Sequence, residues 1–227
     1  MARARGHACP LDAPGSLAMS RSDQVSRGGT DLAFFTAAWA EEAPWDVGIP
    51  QPDLIAEADA GWFRGAVLEI GCGSGEHALH AANLGLSATG IDYVPAAIAL
   101  ARAKATERGL DVHFEQADLF AYSVDTPADT IIDVGLFHTF SDPDRQRYLQ
   151  WLHASLAPDG HLLLLCFSEL QPGEPPPRRL SEAELRGLFT GDFTIQNLRR
   201  GRYKTRLPGG EDWEGAHAWI ARITSRL

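Results

Sequence analysis

The stretch Val67-Leu68-Glu69-Ile70-Gly71-Cys72-Gly73-Ser74-Gly75-Glu76 constrains this chain more than any other. A short apolar strand runs into three alternate glycines, and a helical pattern follows from Glu76 to Leu84. Glycine reaches left-handed backbone conformations and lets a ligand approach the main chain closely. Strand, glycine turn and helix in that order therefore point to a nucleotide-cofactor site at a strand end. The plain alternative is a tight βα turn that binds nothing. Asp92 weighs against that alternative: it ends Thr89-Gly90-Ile91-Asp92, 17 residues beyond Gly75. A carboxylate there can accept hydrogen bonds from two ribose hydroxyls.

The rest of the chain supplies the sheet that such a turn needs. Strand-like runs fall at Ala66–Ile70, Ser87–Ile91, Val112–Gln116, Thr130–Val134 and His161–Phe167. Helical stretches at Glu76–Leu84, Pro95–Arg108 and Pro143–Leu156 separate them. Pro95 suits a first helical turn, Ser141 with Asp144 reads as a capping box, and Gly85 and Gly109 suit helix ends. Ser181–Phe189 reads as a further helix capped by Ser181. Phe193–Leu198 and Ala216–Ile223 read as a closing antiparallel pair. Repeated βα units predict an α/β fold: a doubly wound, mostly parallel seven-stranded sheet with helices on both faces. Residues 1–30 read as a mobile tail and 31–227 as one domain. Its helical cap covers 31–61, with Asp31 capping a helix over Leu32–Glu42, a Pro-rich loop, and a second helix over Asp53–Ala60.

Composition narrows the function. Formal net charge is -10 over 227 residues, which speaks against a nucleic-acid partner. The longest apolar run, Leu162 to Phe167, is far short of the ~20 residues that span a bilayer. Cys9, Cys72 and Cys166 are odd in number and lack metal-ligand spacing, which predicts neither a disulfide framework nor a zinc site and suits a reducing cytoplasm. His77 and His80 share a helix face, but no third ligand is evident, so no metal is expected.

Glycine turn and ribose acid alone also fit nicotinamide oxidoreductases. Two details separate the cases. The turn is Gly-x-Gly-x-Gly, with Glu76 where a pyrophosphate-binding turn has its third glycine. Gln116-Ala117-Asp118-Leu119 then ends the third strand with an acid that can accept from an adenine amino group. In this the chain resembles the class I, Rossmann-like methyltransferases over about Ala66 to Phe167. The resemblance implies S-adenosylmethionine as cofactor. Glu69, Gly71, Gly73 and Gly75 would hold its methionine end. Asp92 with Tyr93 would hold the ribose, Asp118 with Leu119 the adenine, and Asp133 the site on the fourth strand. The Pro-x-Gly turn before that family's fifth strand is matched by Pro158-Asp159-Gly160.

Outside that core, Trp39-Ala40-Glu41-Glu42-Ala43-Pro44-Trp45-Asp46 and the later Pro172–Arg178 stretch resemble the thiopurine, thiol and halide methyltransferase group. By that resemblance Trp39 and Trp45 would cover the cofactor, and the acceptor would be a small molecule methylated on sulfur rather than oxygen or nitrogen. His138, just past the fourth strand, is the candidate general base, since imidazole titrates near neutrality. Phe137, Arg178 and Tyr203 are the candidate acceptor-binding residues. A cofactor-binding protein without catalysis remains the competing reading.

Overall fold

The computed structural model describes residues 32–173, 177–206 and 215–226. The expected tail and the capping role of Asp31 lie outside them. The elements, in chain order, are α1 (Leu32–Ala40), α2 (Pro52–Asp59), β1 (Ala66–Ile70), α3 (Glu76–Asn83), β2 (Ser87–Asp92), α4 (Pro95–Arg108), β3 (His113–Gln116) and β4 (Ala128–Val134). After a 3-10 turn (Phe137–Thr139) come α5 (Asp142–Ser155), β5 (Leu156–Phe167), α6 (Glu182–Leu188), β6 (Phe193–Tyr203) and β7 (Ala216–Ser225).

Local chemistry sets many of these boundaries. Pro52 and Pro95 open α2 and α4, where a missing N–H costs nothing. Gly109 closes α4 in the left-handed region at φ 63°. Ser141 accepts from Asp144 N at the start of α5, and Ser181 and Glu184 form a reciprocal capping box at α6.

The strands form one seven-stranded sheet in the order β3-β2-β1-β4-β5-β7-β6. β3 through β5 pair in parallel, and β7 runs antiparallel to both neighbours. Side chains alternate across a strand, so β5 feeds two cores. Leu163, Leu165 and Phe167 meet Ala78, Leu79, Ile98 and Ala101 from α3 and α4 on one face. Leu162, Leu164 and Cys166 meet Tyr148 and Leu152 of α5 and Leu185 of α6 on the other. The chain runs outward from β1 to β3, then returns to β4 on the other side of β1. The crevice at that reversal, outside the carboxyl ends of β1 and β4, is where open α/β sheets bind ligands.

β5 and β6 outrun their expected limits the most. β5 begins at Leu156 because Leu156 pairs with Ala128 before the chain bends through Asp159, which sits at φ 58°. β6 runs to Tyr203, paired with Ala216, and this extension delivers Tyr203 to the crevice. No helix among the described residues is long and apolar enough to cross a membrane.

Candidate functional site

A cleft of about 490 Å³ opens at the crevice. Gly71 and Gly73 line it at the end of β1, Asp92 and Tyr93 at β2, Asp118 and Leu119 after β3, and Leu136 and His138 after β4. Phe167 and Tyr203 line it from β5 and β6, and Phe34, Phe35, Trp39 and Trp45 from the cap.

The glycine turn bends through three left-handed residues, at φ 60°, 54° and 80° for Gly71, Gly73 and Gly75. Gly73 is also a contact point with the cap: a Cβ there would lie 2.9 Å from Trp39 Cζ2. Gly75 lies outside the cleft, and a Cβ there would overlap the Phe114 ring. Asp92 accepts from Gly73 N at 2.9 Å through Oδ2 and from Val94 N at 2.9 Å through Oδ1. It is therefore fixed at the cleft wall, with burial pushing its pKa upward. Asp118 is exposed and accepts from Phe120 N at 2.9 Å.

Two acids of the motif turn elsewhere. Glu69 is buried and does not line the cleft. It meets His77 Nδ1 at 2.7 Å and accepts from Ala78 N at 2.8 Å. His77 Nε2 accepts from Gln51 N at 3.0 Å, so the proton is on Nδ1 and is donated to Glu69. Glu69 thus ties β1 to α3 and, through His77, to the start of α2. Glu76 also faces away from the cleft. Lys104 Nζ at 2.7 Å and Arg108 at 2.8 and 2.9 Å hold its pKa below the usual carboxylate range, against the upward pull of burial. Its charge acts on α4 rather than on a cofactor.

The residues after β4 part company in the same way. Asp133 is wholly buried and lies off the cleft. It accepts from Leu136 N at 3.0 Å and Phe137 N at 3.2 Å through one oxygen, and from Tyr148 Oη at 2.9 Å through the other. Burial lifts its pKa to about 7. Phe137, expected beside the acceptor, is instead a core residue with no exposed surface, stacked near Tyr148 and Phe189. The 3-10 turn rotates it inward and rotates its neighbour His138 toward the cleft. Arg178, also expected at the acceptor, is instead turned outward to Asp142 and Glu184. Only its main chain touches the site region, donating to His138 O at 3.2 Å.

His138 is 4% exposed, and its Nδ1 accepts from Phe167 N at 3.1 Å. Neutral imidazole has one N–H, so that bond leaves the proton on Nε2. Burial first, then Arg145 and Arg179, push its pKa down to about 3. At neutral pH the ring therefore presents a donor. Tyr203 is 5% exposed, and burial, reinforced by Asp133, Asp46 and Glu69, raises its pKa, so it keeps its proton. The two rings lie 6.3 Å apart.

The cap is tied down by residues that sequence reading passes over. Asp46 accepts from Ser74 Oγ at 2.9 Å, joining the Pro-Trp-Asp segment directly to the glycine turn. Thr205 Oγ1 donates to Pro44 O at 2.9 Å, and Gln51 exchanges two hydrogen bonds with the Lys204 main chain. Phe35 bridges Trp45 and Tyr93, with ring centroids 5.4 and 5.9 Å away. In the Pro172–Arg178 stretch, residues 174–176 lie outside the described residues. Arg179 clasps its two ends by donating to the carbonyls of Pro172 and Pro177, and Pro177 lines the cleft.

These walls fit a sulfonium nucleoside better than a dinucleotide. Among the described residues the one arginine or lysine on the cleft, Arg147, lies 4.1 Å above the Phe120 ring and is paired with Asp144. Lys104 meets the glycine turn at Ser74 Oγ, 2.6 Å away, but it lies off the cleft and is paired with Glu76, so among the described residues no cation faces the cleft side of the turn. What stands there are the rings of Trp39 and Trp45, and a cation is attracted to such faces. The fold and cleft thus define a Rossmann-like enzyme built for a cationic adenosine cofactor.

Comparison with known proteins agrees. A methyltransferase domain family matches residues 67–160. A 2-heptyl-1-hydroxyquinolin-4(1H)-one methyltransferase of Mycobacteroides abscessus is 34% identical over 76% of this chain and 78% of its own. A solved structure described as "Conversion of a Disulfide Bond into a Thioacetal Group during Echinomycin Biosynthesis" is 34% identical, covers 90% of this chain and 91% of its own, and has a TM-score of 0.72. A probable thiol methyltransferase of Arabidopsis thaliana is 25% identical over 79% of each chain. The chain belongs to the class I S-adenosylmethionine-dependent methyltransferases.

Proposed function

We propose that this enzyme methylates a small, largely apolar acceptor on sulfur, and that the acceptor reacts as an anion the protein does not itself generate. The observation that carries this is the bond from Phe167 N to His138 Nδ1. It leaves His138 as an N–H donor, in place of the proton acceptor that its position after β4 suggests. Asp133 lies behind the turn, Asp118 belongs to the adenine end and Asp144 is paired with Arg147, so among the described residues the acceptor end of the cleft has no free base. A thiol ionises readily in water at pH 8 and suits such a site. Oxygen acceptors qualify where their hydroxyl is acidic, which the hydroxyquinolone named for the M. abscessus relative favours.

S-adenosylmethionine, when bound, supplies a methyl group on a sulfonium sulfur. Gly71 and Gly73 would give room for its methionine end, Asp92 would accept from the ribose, and Asp118 from the adenine. Trp39, Trp45 and Phe35 would close over it, excluding water and aligning the reactants; such positioning is worth up to ~7–11 kcal/mol in model reactions. Glu69, Gly75 and Asp133 would act through the backbone they hold, and Glu76 through α4. The free, buried thiols of Cys72 and Cys166 suit a reducing compartment, and we place the enzyme in the cytoplasm.

The test is transfer from labelled S-adenosylmethionine to aryl thiols, N-hydroxy heteroaromatics, simple phenols and alkyl amines. Turnover with the first two classes and none with amines is expected. Preferential methylation of amines or of un-ionised phenols would overturn the proposal. Tight cofactor binding with no transfer to any class would favour the non-catalytic reading.

A further inference from the structure

Two polar side chains that are both about 95% buried reach the cleft wall, one from the turn after β4 and one from β6, and each retains an unused donor. His138 Nε2 has no partner among the described residues, and Nδ1 is spent on Phe167 N. Tyr203 Oη likewise has no partner among the described residues, although the side chain is 5% exposed. It lies close over Gly135 on the cleft wall: a Cβ at Gly135 would fall 2.7 Å from Oη. Gly135 therefore has a reason to be glycine beyond its φ of 83°, since any larger residue would push the hydroxyl aside.

Both donors open onto the cleft rather than into the core, and two donors facing one wall point to a ligand that accepts from both. Burial first, and then the surrounding charges, favour the neutral form of each. Arg145 and Arg179 act on His138 and disfavour imidazolium. Asp133, Asp46 and Glu69 act on Tyr203 and disfavour phenolate. Both groups hold their protons over the working pH range, so both donate. Phe167, 4.7 Å from the His138 ring and 5.4 Å from the Tyr203 ring, makes the pocket between them apolar, which strengthens a hydrogen bond to an anion.

We infer that His138 Nε2–H and Tyr203 Oη–H form a two-donor cradle for the ionised sulfur or oxygen of an aromatic acceptor, and so bind the acceptor as its anion. The inference rests on the methyltransferase reading above and adds to it the charge state and class of the acceptor. The acceptor's proton leaves to water before or on binding. Its anion then forms the new bond to the methyl carbon, while the electron pair of the broken carbon–sulfur bond stays on the departing sulfur, which becomes a neutral thioether. No proton need pass to the protein. An ammonium acceptor would meet two donors in the cradle, so amines are expected to be poor acceptors.

The probes are 4-nitrothiophenol and 4-nitrophenol, whose anions absorb at longer wavelength than the neutral forms. Each is titrated spectroscopically in the dead-end complex with saturating S-adenosylhomocysteine. The cradle lowers the apparent pKa of at least one bound probe by about one unit or more, a tenfold preference for the anion. Tyr203→Phe reverses most of that shift and leaves S-adenosylhomocysteine affinity by calorimetry within about twofold, a separation that loss of packing alone would not give. His138→Gln, whose amide can keep both bonds, retains the shift, and His138→Leu loses it. A shift with 4-nitrothiophenol alone assigns sulfur, and with 4-nitrophenol alone assigns oxygen. Wild-type protein that binds S-adenosylhomocysteine but binds neither probe, or binds both without a shift, overturns the cradle and leaves the methyltransferase assignment standing. An unchanged shift in Tyr203→Phe also overturns it. Failure to bind S-adenosylhomocysteine at all removes the reading on which it rests.

Discussion

Replacing Asp133 by asparagine should make the protein more stable above neutral pH. The carboxyl is wholly buried, and its pKa is lifted from 3.8 to about 7. A group raised in this way destabilises the fold as its proton leaves. The unfolded chain gives up the proton above about pH 4, the folded chain only near pH 7, so stability falls across that window by ~1.4 kcal/mol per unit. The loss approaches ~4 kcal/mol once both states are ionised. Asparagine can keep all three bonds: its oxygen accepts from Leu136 N and Phe137 N, and its amide can donate to Tyr148 Oη. Allowing for the stronger bonds a carboxylate makes, we expect a gain of about 1–3 kcal/mol at pH 8 that shrinks to nothing near pH 4. His138 adds a second signature. Its pKa falls from 6.5 to about 3, so the unfolded chain takes up a proton below about pH 6.5 that the folded chain refuses. That makes stability rise with pH between about 3 and 6.5, opposite to Asp133 and of similar slope. The two nearly cancel in the wild type, and Asp133→Asn should expose the histidine. Urea denaturation from pH 5.5 to 8.5 reads both effects. A stability difference that does not change with pH, or a variant less stable than wild type at pH 8, would refute the reasoning.

Two further substitutions separate binding from folding. Asp92→Ala should weaken S-adenosylhomocysteine binding by about 1–3 kcal/mol in calorimetry, as for a lost charged acceptor that also positions Gly73 N; unchanged affinity would remove the ribose role. Gly75→Ala should lower stability by about 2–4 kcal/mol, combining left-handed strain with overlap on Phe114; a melting temperature equal to wild type would contradict that packing.

The repeat of strand and helix was legible because side-chain periodicity within each segment reports its type. The glycine turn was legible because Gly71, Gly73 and Gly75 are all held at positive φ. What each motif acid does was not legible. Glu69, Asp92 and Asp118 all follow the family pattern, yet only the latter two face the cleft, because His77, eight residues on, captures Glu69. Phe137 and His138 are neighbours, and only the three-dimensional turn decides which faces the core. The donor to His138 Nδ1 is the Phe167 amide, 29 residues away, so no local pattern could show that the ring lacks a free acceptor nitrogen. Arg178 fails for a similar reason: the acids that hold it, Asp142 and Glu184, begin α5 and α6. Asp46 could have been found, since Pro-Trp-Asp sits in the cap resemblance, but its partner Ser74 is visible only once the cap is docked.

The central claim is that the acceptor arrives ionised and His138 never takes its proton. The most direct measurement is the pH dependence of kcat/KM at saturating S-adenosylmethionine for two aryl thiols of well-separated pKa. The account predicts that activity rises with pH to a plateau whose midpoint follows each thiol, with no midpoint belonging to the enzyme. A midpoint fixed near pH 6 to 7 for both thiols, and lost in His138→Gln, would make the histidine a base and contradict the account.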